Sequence, residues 1–126
     1  MNNTKKSFLD MTFKEVGEGI LDKLIELVVT AEKPEKIERL TFSGLVSRAT
    51  LLAEKYQNAV NCKCIICRNS KARAFDVGVW AIDAEGKFVS DEYGLAQITM
   101  ETMGLDDKLN DMLRGGVCAN FILELQ

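Results

Sequence analysis

The first third of the chain places its hydrophobic residues at helical spacing. Thr12 and Glu15 have the spacing of a capping box, which predicts a helix start. Apolar residues then recur every three or four positions, and two neighbours widen the stripe: Phe13, Val16, Ile20, Leu24 and Leu27, with Leu21 and Val28 beside them. Because such a stripe forms one buried face, we expect an amphipathic helix that ends before Pro34. Residues 1–10 lack this pattern and are expected to form a flexible N-terminus.

A second helical pattern follows a short link. Pro34 suits the first turn of a short connecting helix over residues 34–39. A long helix is then predicted from about residue 43 to residue 58. Its expected buried face consists of Leu45, Ala49, Leu52 and Tyr56. Two long helices joined by a short link predict an N-terminal helical hairpin.

From Ala59 the hydrophobic pattern becomes alternating or continuous, as in strands. Residues 60–68 and 74–83 are predicted strands, and the polar link between them would close a β-hairpin. In the second strand, Phe75, Val77, Val79 and Ala81 share one face, which places Trp80 on the opposite face. A tight turn at residues 83–86 should lead into a short strand at residues 87–89.

The last third predicts two short helices and a final strand. The helices are expected at residues 90–103 and 106–114, with glycines as their C-terminal stops. The final strand would bury Val117, Ala119, Phe121, Leu123 and Leu125. The predicted fold is therefore α+β, a helical hairpin packed with a largely antiparallel sheet of about four strands and two further short helices. Residues 11–126 should form a single domain.

Composition narrows the class of protein. The chain has 126 residues, of which 47% are hydrophobic, enough for one buried core. Its net charge of −3 argues against binding nucleic acid over an extended face, because phosphate neutralisation needs a basic excess. No apolar run approaches the roughly 18–20 residues of a membrane span, and no secretion signal is evident. We expect a cytoplasmic protein with reduced cysteines and no membrane contact.

Four cysteines raise the question of a metal. Cys62, Cys64, Cys67 and Cys118 could supply a tetrahedral zinc site, and Cys64 and Cys67 have a suitable spacing. However, isoleucines fill the gap between them, and strand alternation turns Cys67 away from Cys62 and Cys64. We therefore expect structural thiols and no cofactor. A zinc-stabilised nucleic-acid-binding or regulatory module is the alternative.

Catalytic signatures are absent from the sequence. There is no histidine, so a cysteine nucleophile would lack its usual base. No phosphate loop, nucleophile elbow or dinucleotide fingerprint is present. The sequence thus favours a protein that is not an enzyme.

The strongest functional signal is a basic hairpin. Arg68, Lys71 and Arg73 would surround its tip, where an anion could bind, although a solvated basic loop is the alternative interpretation. The candidate binding residues are Arg48, Lys63, Arg68, Lys71, Arg73 and Trp80. We predict a small binding protein of inhibitor or accessory type, as found in bacteria and their phages. It would bind a protein partner or sequester a small anion such as a nucleotide, and it would form a homodimer or higher oligomer.

Overall fold

A computed structural model describes residues 24–28 and 33–125 of the chain. Residues 24–28 are helical, and two further helices follow, α1 (Phe42–Glu54) and α2 (Asp107–Leu113). The strands are β1 (Glu35–Ile37), β2 (Asn61–Asn69), β3 (Ala74–Ile82), β4 (Ser90–Asp91), β5 (Gly94–Leu95), β6 (Gln97–Thr102) and β7 (Cys118–Glu124). The mixed α/β content that the sequence predicts is confirmed.

Five strands form the main sheet in the order β1-β6-β3-β2-β7. β1 runs parallel to β6, and every other pair in this sheet is antiparallel. β2 and β3 are paired along their whole length, from Asn61 opposite Ile82 to Asn69 opposite Ala74. β4 and β5 form a separate two-stranded hairpin. The β2–β3 hairpin therefore occupies the centre of the sheet, where both of its strands have neighbours.

The main core lies between α1, α2 and one face of the sheet. α1 contributes Leu45, Ala49 and Leu52, as its helical spacing predicts. The sheet contributes alternate residues of the central strands: Cys62, Cys64, Ile66, Val77, Val79 and Ala81. Because alternate residues of a strand face opposite ways, β2 and β3 each present a second apolar row on the other face.

A second core lies on that other face. Leu24 and Val28 of the helical segment pack there with Ile65, Trp80 and Phe88. Trp80 is 0% exposed, which confirms that it lies opposite the main aliphatic row. Gly78 allows this approach, because a Cβ there would stand closer than 3.0 Å to Val28 and to the Trp80 ring. The described structure thus has helices on both faces of its sheet.

The described residues do not support the predicted N-terminal helical hairpin. Residues 24–28 are helical as expected, but they pack on the opposite face of the sheet from α1. The link between them holds strand β1, not the short helix predicted for residues 34–39. Its backbone groups pair with β6, so the chain passes the sheet edge and changes face there. The predicted capping box and the flexible N-terminus lie outside the described residues.

The helix predicted at residues 90–103 is also wrong, because this segment forms β4, β5 and β6. Within β6, Ile98, Met100 and Thr102 alternate with more polar residues, a period of two that fits a strand. The short strand predicted at residues 87–89 is reduced to one isolated bridge between Phe88 and Ile82. The main sheet accordingly has five strands, not about four.

The remaining long helix, the short second helix and three of the strands lie close to their predicted positions. α1, α2, β2, β3 and β7 are confirmed, with small shifts of their ends. In the final strand Ala119 and Leu123 are buried as expected, but Val117 precedes β7 and is 69% exposed. No helix in the described part of the chain is long and apolar enough to cross a membrane.

Candidate functional site

The basic residues of the predicted site surround the end of the β2–β3 hairpin. The turn over residues 70–73 is closed by the Arg73 N–H, which donates to the Ser70 carbonyl at 3.3 Å. The Asn69 side chain accepts the Ala72 N–H at 3.2 Å, an arrangement that favours asparagine before a turn. Arg73 has a positive φ of 54°, which directs the chain back into β3. The tip is therefore fixed by local hydrogen bonds as well as by strand pairing.

An open cavity of about 310 Å³ lies at this end of the hairpin. Its lining residues are Arg68, Asn69, Ser70, Arg73, Ala74 and Phe75. Arg68 is the register partner of Phe75, and its guanidinium carbon lies 5.2 Å from the centre of the Phe75 ring. This distance allows a cation–π contact. The cavity thus combines two arginines with one aromatic wall.

The basic residues at the tip lack acidic partners among the described residues. Arg68, Lys71 and Arg73 are exposed, and none forms an ion pair with a carboxylate in residues 24–28 or 33–125. The nearby Asp76 lies on the opposite face of β3 from Phe75, where it accepts a hydrogen bond from Asn69 at 3.1 Å. Burial raises the pKa of this carboxyl, although the Asn69 hydrogen bond opposes the rise. Within residues 24–28 and 33–125, no carboxylate cancels the positive charge at the cavity.

A loop before β7 borders the same end of the sheet. The Arg68 N–H donates to the Val117 carbonyl at 2.7 Å, and Arg68 Nε approaches the Gly116 carbonyl at 3.5 Å. Arg114 stands in this loop, three residues before Val117, with a left-handed φ of 51°. Sequence reasoning missed this loop, because only the pairing of β2 with β7 brings it beside the hairpin.

The other predicted binding residues lie elsewhere. Arg48 in α1 is paired with Glu35, with Nη2 and Oε2 2.8 Å apart, and this hydrogen bond raises the pKa of the arginine. Lys63 is buried in β2, where its Nζ donates to Asn120 at 2.8 Å and burial lowers its pKa. Trp80 is enclosed in the second core and donates from Nε1 to Gln97 at 2.7 Å. The structure therefore brings together Arg68, Lys71 and Arg73 at the hairpin tip. Arg48, Lys63 and Trp80 lie away from it.

The four cysteines divide between the two faces of the sheet. Cys62 and Cys64 belong to the main core, where burial raises the pKa of Cys62 to about 11. Cys67 lies in the second core, opposite Cys118 on β7. No cluster of three or more cysteine, aspartate or glutamate side chains suited to a metal occurs in the described ranges. The zinc alternative would require these thiols to move, and the absence of a cofactor stays a prediction.

A second open cavity, of about 440 Å³, lies at the other end of β2. Its lining residues are Thr50, Ala53, Glu54, Tyr56, Gln57, Ala59, Val60 and Leu125. It contains an acidic residue and no basic one, so it does not share the chemistry of the hairpin site.

Comparison of the chain with protein-family models, with curated proteins and with solved structures finds no match. The hairpin geometry is therefore the basis for assigning a function.

Proposed function

We propose that this protein is a non-enzymatic, cytoplasmic binding protein that holds a phosphate-bearing small molecule, such as a nucleotide, at the β2–β3 hairpin. The observation that carries this proposal is the open cavity lined by Arg68, Arg73 and Phe75, with Lys71 beside it. Arginine donates paired hydrogen bonds in a planar fork that matches the oxygens of a phosphate. An aromatic ring beside that fork gives a base a surface for stacking.

The size of the cavity supports a small ligand. A volume of about 310 Å³ is at the lower end of the range that small-molecule sites occupy, roughly 300–1,000 Å³. The site is open to solvent, so each charge contact should contribute only about 0–1 kcal/mol. Dissolved ions screen the attraction between exposed arginines and a phosphate, so binding should weaken as salt rises.

The test is titration calorimetry at low salt with ATP, ADP, adenosine and inorganic phosphate as probes. Replacing Arg68 and Arg73 together by alanine should weaken nucleotide binding by about 5- to 30-fold, because two charge contacts that together contribute roughly 1–2 kcal/mol are lost. Lys55→Ala with Lys87→Ala is the matched control, since it removes the same charge at the far end of β2. Phe75→Leu should reduce the preference for ATP over phosphate.

Equal nucleotide affinity in the wild type and the double arginine variant would refute the proposal. Failure of every probe to bind would refute it as well. If an aspartate-rich peptide binds instead, and binding depends on the two arginines, the ligand is an acidic protein segment.

Self-association is a separate proposal, carried by β7. This strand pairs with β2 on one side, and no strand in the described ranges pairs with its other side. Its Ile122 is 41% exposed, and it lacks the lysine or proline that commonly blocks pairing at a sheet edge. We propose that two copies associate along β7. A monomeric mass by light scattering at micromolar concentration would contradict this.

A further inference from the structure

Two cysteines that are 51 residues apart in sequence face each other across neighbouring strands. Cys67 of β2 is the register partner of Cys118 of β7, and their sulfur atoms lie 2.6 Å apart. The next residue pair, Arg68 and Val117, carries the backbone hydrogen bond between the strands. Cys67 and Cys118 therefore form a non-hydrogen-bonded pair, the type in which the Cα atoms approach to about 4.5 Å.

This geometry suits a covalent bond between the sulfurs. A disulfide spans Cα atoms about 4.4–6.8 Å apart and has a sulfur–sulfur length of about 2.05 Å. The two sulfurs need to approach by only roughly half an ångström, so the strands can keep their pairing. Cys62 and Cys64 face the main core on the other side of the sheet and cannot compete for the same partner.

The two thiols differ in access to solvent. Cys118 is exposed, whereas Cys67 is 2% exposed and packs in the second core. Burial raises the pKa of Cys67, and its interaction with the neighbouring Cys118 thiol raises it further. A dissolved oxidant therefore reaches Cys118 first, and Cys67 is positioned to react with the oxidised sulfur.

We propose that Cys67 and Cys118 are a redox site that forms a reversible intramolecular disulfide when the protein meets a peroxide. The Cys118 thiolate attacks one peroxide oxygen, the O–O bond breaks, and the products are a Cys118 sulfenic acid and hydroxide, which is protonated to water. The Cys67 sulfur then attacks the Cys118 sulfur and the S–O bond breaks. The departing hydroxide takes the Cys67 proton as water. Two thiols are oxidised by two electrons, and hydrogen peroxide is reduced to two waters.

The bond would join the edge strand β7 to the central strand β2. Closing a loop of about 50 residues constrains the unfolded chain, which should raise the Tm by an amount on the order of 10 °C. A dithiol reductant would reverse the change by thiol–disulfide exchange. This inference does not depend on ligand binding at the hairpin.

The experiment treats the full-length protein with hydrogen peroxide, quenches it with acid, unfolds it and alkylates the remaining thiols. Mass spectrometry should show that two of the four thiols are lost and that one peptide pair joins Cys67 to Cys118. Dithiothreitol should restore all four thiols, and the Tm should rise on oxidation and fall on reduction. Cys118→Ser, a change at an exposed position, should keep its three thiols out of any intramolecular disulfide and show no rise in Tm.

Three results would overturn the proposal. The first is a protein that keeps four free thiols at peroxide concentrations that oxidise free cysteine. The second is oxidation of Cys118 to sulfinic acid without a link to Cys67. The third is a disulfide that joins separate chains or that persists in Cys118→Ser.

Discussion

One carboxylate holds the first turns of two helices. Asp106 Oδ1 accepts the Leu109 N–H at 3.0 Å and thereby caps α2. Its Oδ2 accepts the N–H of Phe42, the first residue of α1, at 2.8 Å. Thr41 caps α1 through the Gly44 N–H, so Asp106 satisfies a different free donor of the same helix. Replacement of Asp106 should therefore weaken both helix starts at once.

The expected loss follows from these two hydrogen bonds. A capping side chain stabilises a helix by about 1 kcal/mol, within a range of 0.5–2 kcal/mol. A negative charge near a helix start adds about 0.3–1 kcal/mol through the helix dipole. Asp106→Ala should therefore lower the free energy of unfolding by about 2–3 kcal/mol at neutral pH. Asp106→Asn keeps one accepting oxygen, so it should lose roughly half as much.

The effect should depend on pH. Burial alone would raise the pKa of Asp106, but hydrogen bonds from the Phe42 and Leu109 N–H groups and the nearby Arg39 and Lys108 outweigh it and lower the pKa. A carboxyl whose pKa is lower in the folded than in the unfolded protein stabilises the fold above its unfolded pKa, about 3.9. This contribution disappears as pH falls through the folded pKa. The stability difference between the wild type and Asp106→Asn should shrink over the same range.

The assay is urea unfolding followed by circular dichroism, at neutral pH and at intervals down through pH 4. Asp107→Ala is the matched control, because Asp107 is an exposed neighbour in the first turn of α2 that caps no helix, and its loss should lower the free energy of unfolding by at most about 1 kcal/mol through the helix dipole. If Asp106→Ala lowers the free energy of unfolding no more than Asp107→Ala does, the two hydrogen bonds that Asp106 accepts do not stabilise the protein. A stability difference between the wild type and Asp106→Asn that stays constant as pH falls would refute only the contribution assigned to the Asp106 charge.

Three further predictions concern packing. Gly78→Ala should lower the free energy of unfolding by about 1–3 kcal/mol, measured in urea, because the added methyl group would collide with Val28 and Trp80. Gly104→Ala is the control, since a methyl group has room there and should cost less stability. Equal losses for the two variants would contradict the close packing at Gly78. Leu45→Ala, at a buried position of α1, should lower the free energy of unfolding by about 2–5 kcal/mol. Leu51→Ala, at a 61% exposed position of the same helix, should lower it by less than about 0.5 kcal/mol. Similar losses for the two variants would disprove the assigned buried face of α1. Trp80 is the only tryptophan, so native fluorescence should be blue-shifted and poorly quenched by acrylamide, and ready quenching would show that it is exposed.

The sequence correctly predicts the helices and strands whose hydrophobic spacing matches the faces that they bury. α1 has one buried stripe, and β2, β3 and β7 have apolar runs of strand length, so local spacing determines them. β1 could not be found in this way, because it is three residues long and exists through its pairing with β6. The segment that contains β6 was predicted as a helix because residues such as Met100 suit either state. Its strand form depends on contact with β3, which is distant in sequence.

The same distinction applies to the hairpin site. Arg68, Lys71 and Arg73 are neighbours in sequence, and strand pairing around a short turn is enough to predict that they meet. Lys63 and Trp80 also lie within a few residues of this site in sequence, but each side chain is buried within the sheet and does not reach the hairpin tip. The second helical layer over Trp80 could not be predicted, because it requires residues 24–28 to lie on the opposite face from α1.

The central position of the hairpin bears on how its cavity would bind a ligand. Both strands are buried on their two faces, and nine residue pairs join them up to the turn. The backbone that carries Arg68, Arg73 and Phe75 is therefore ordered before any ligand arrives. Binding would then lose little backbone entropy, and the main cost would be the ordering of exposed arginine side chains. The contact with Phe75 already restricts the Arg68 side chain in the free protein, so binding would lose less side-chain entropy at Arg68 than at an unrestrained arginine.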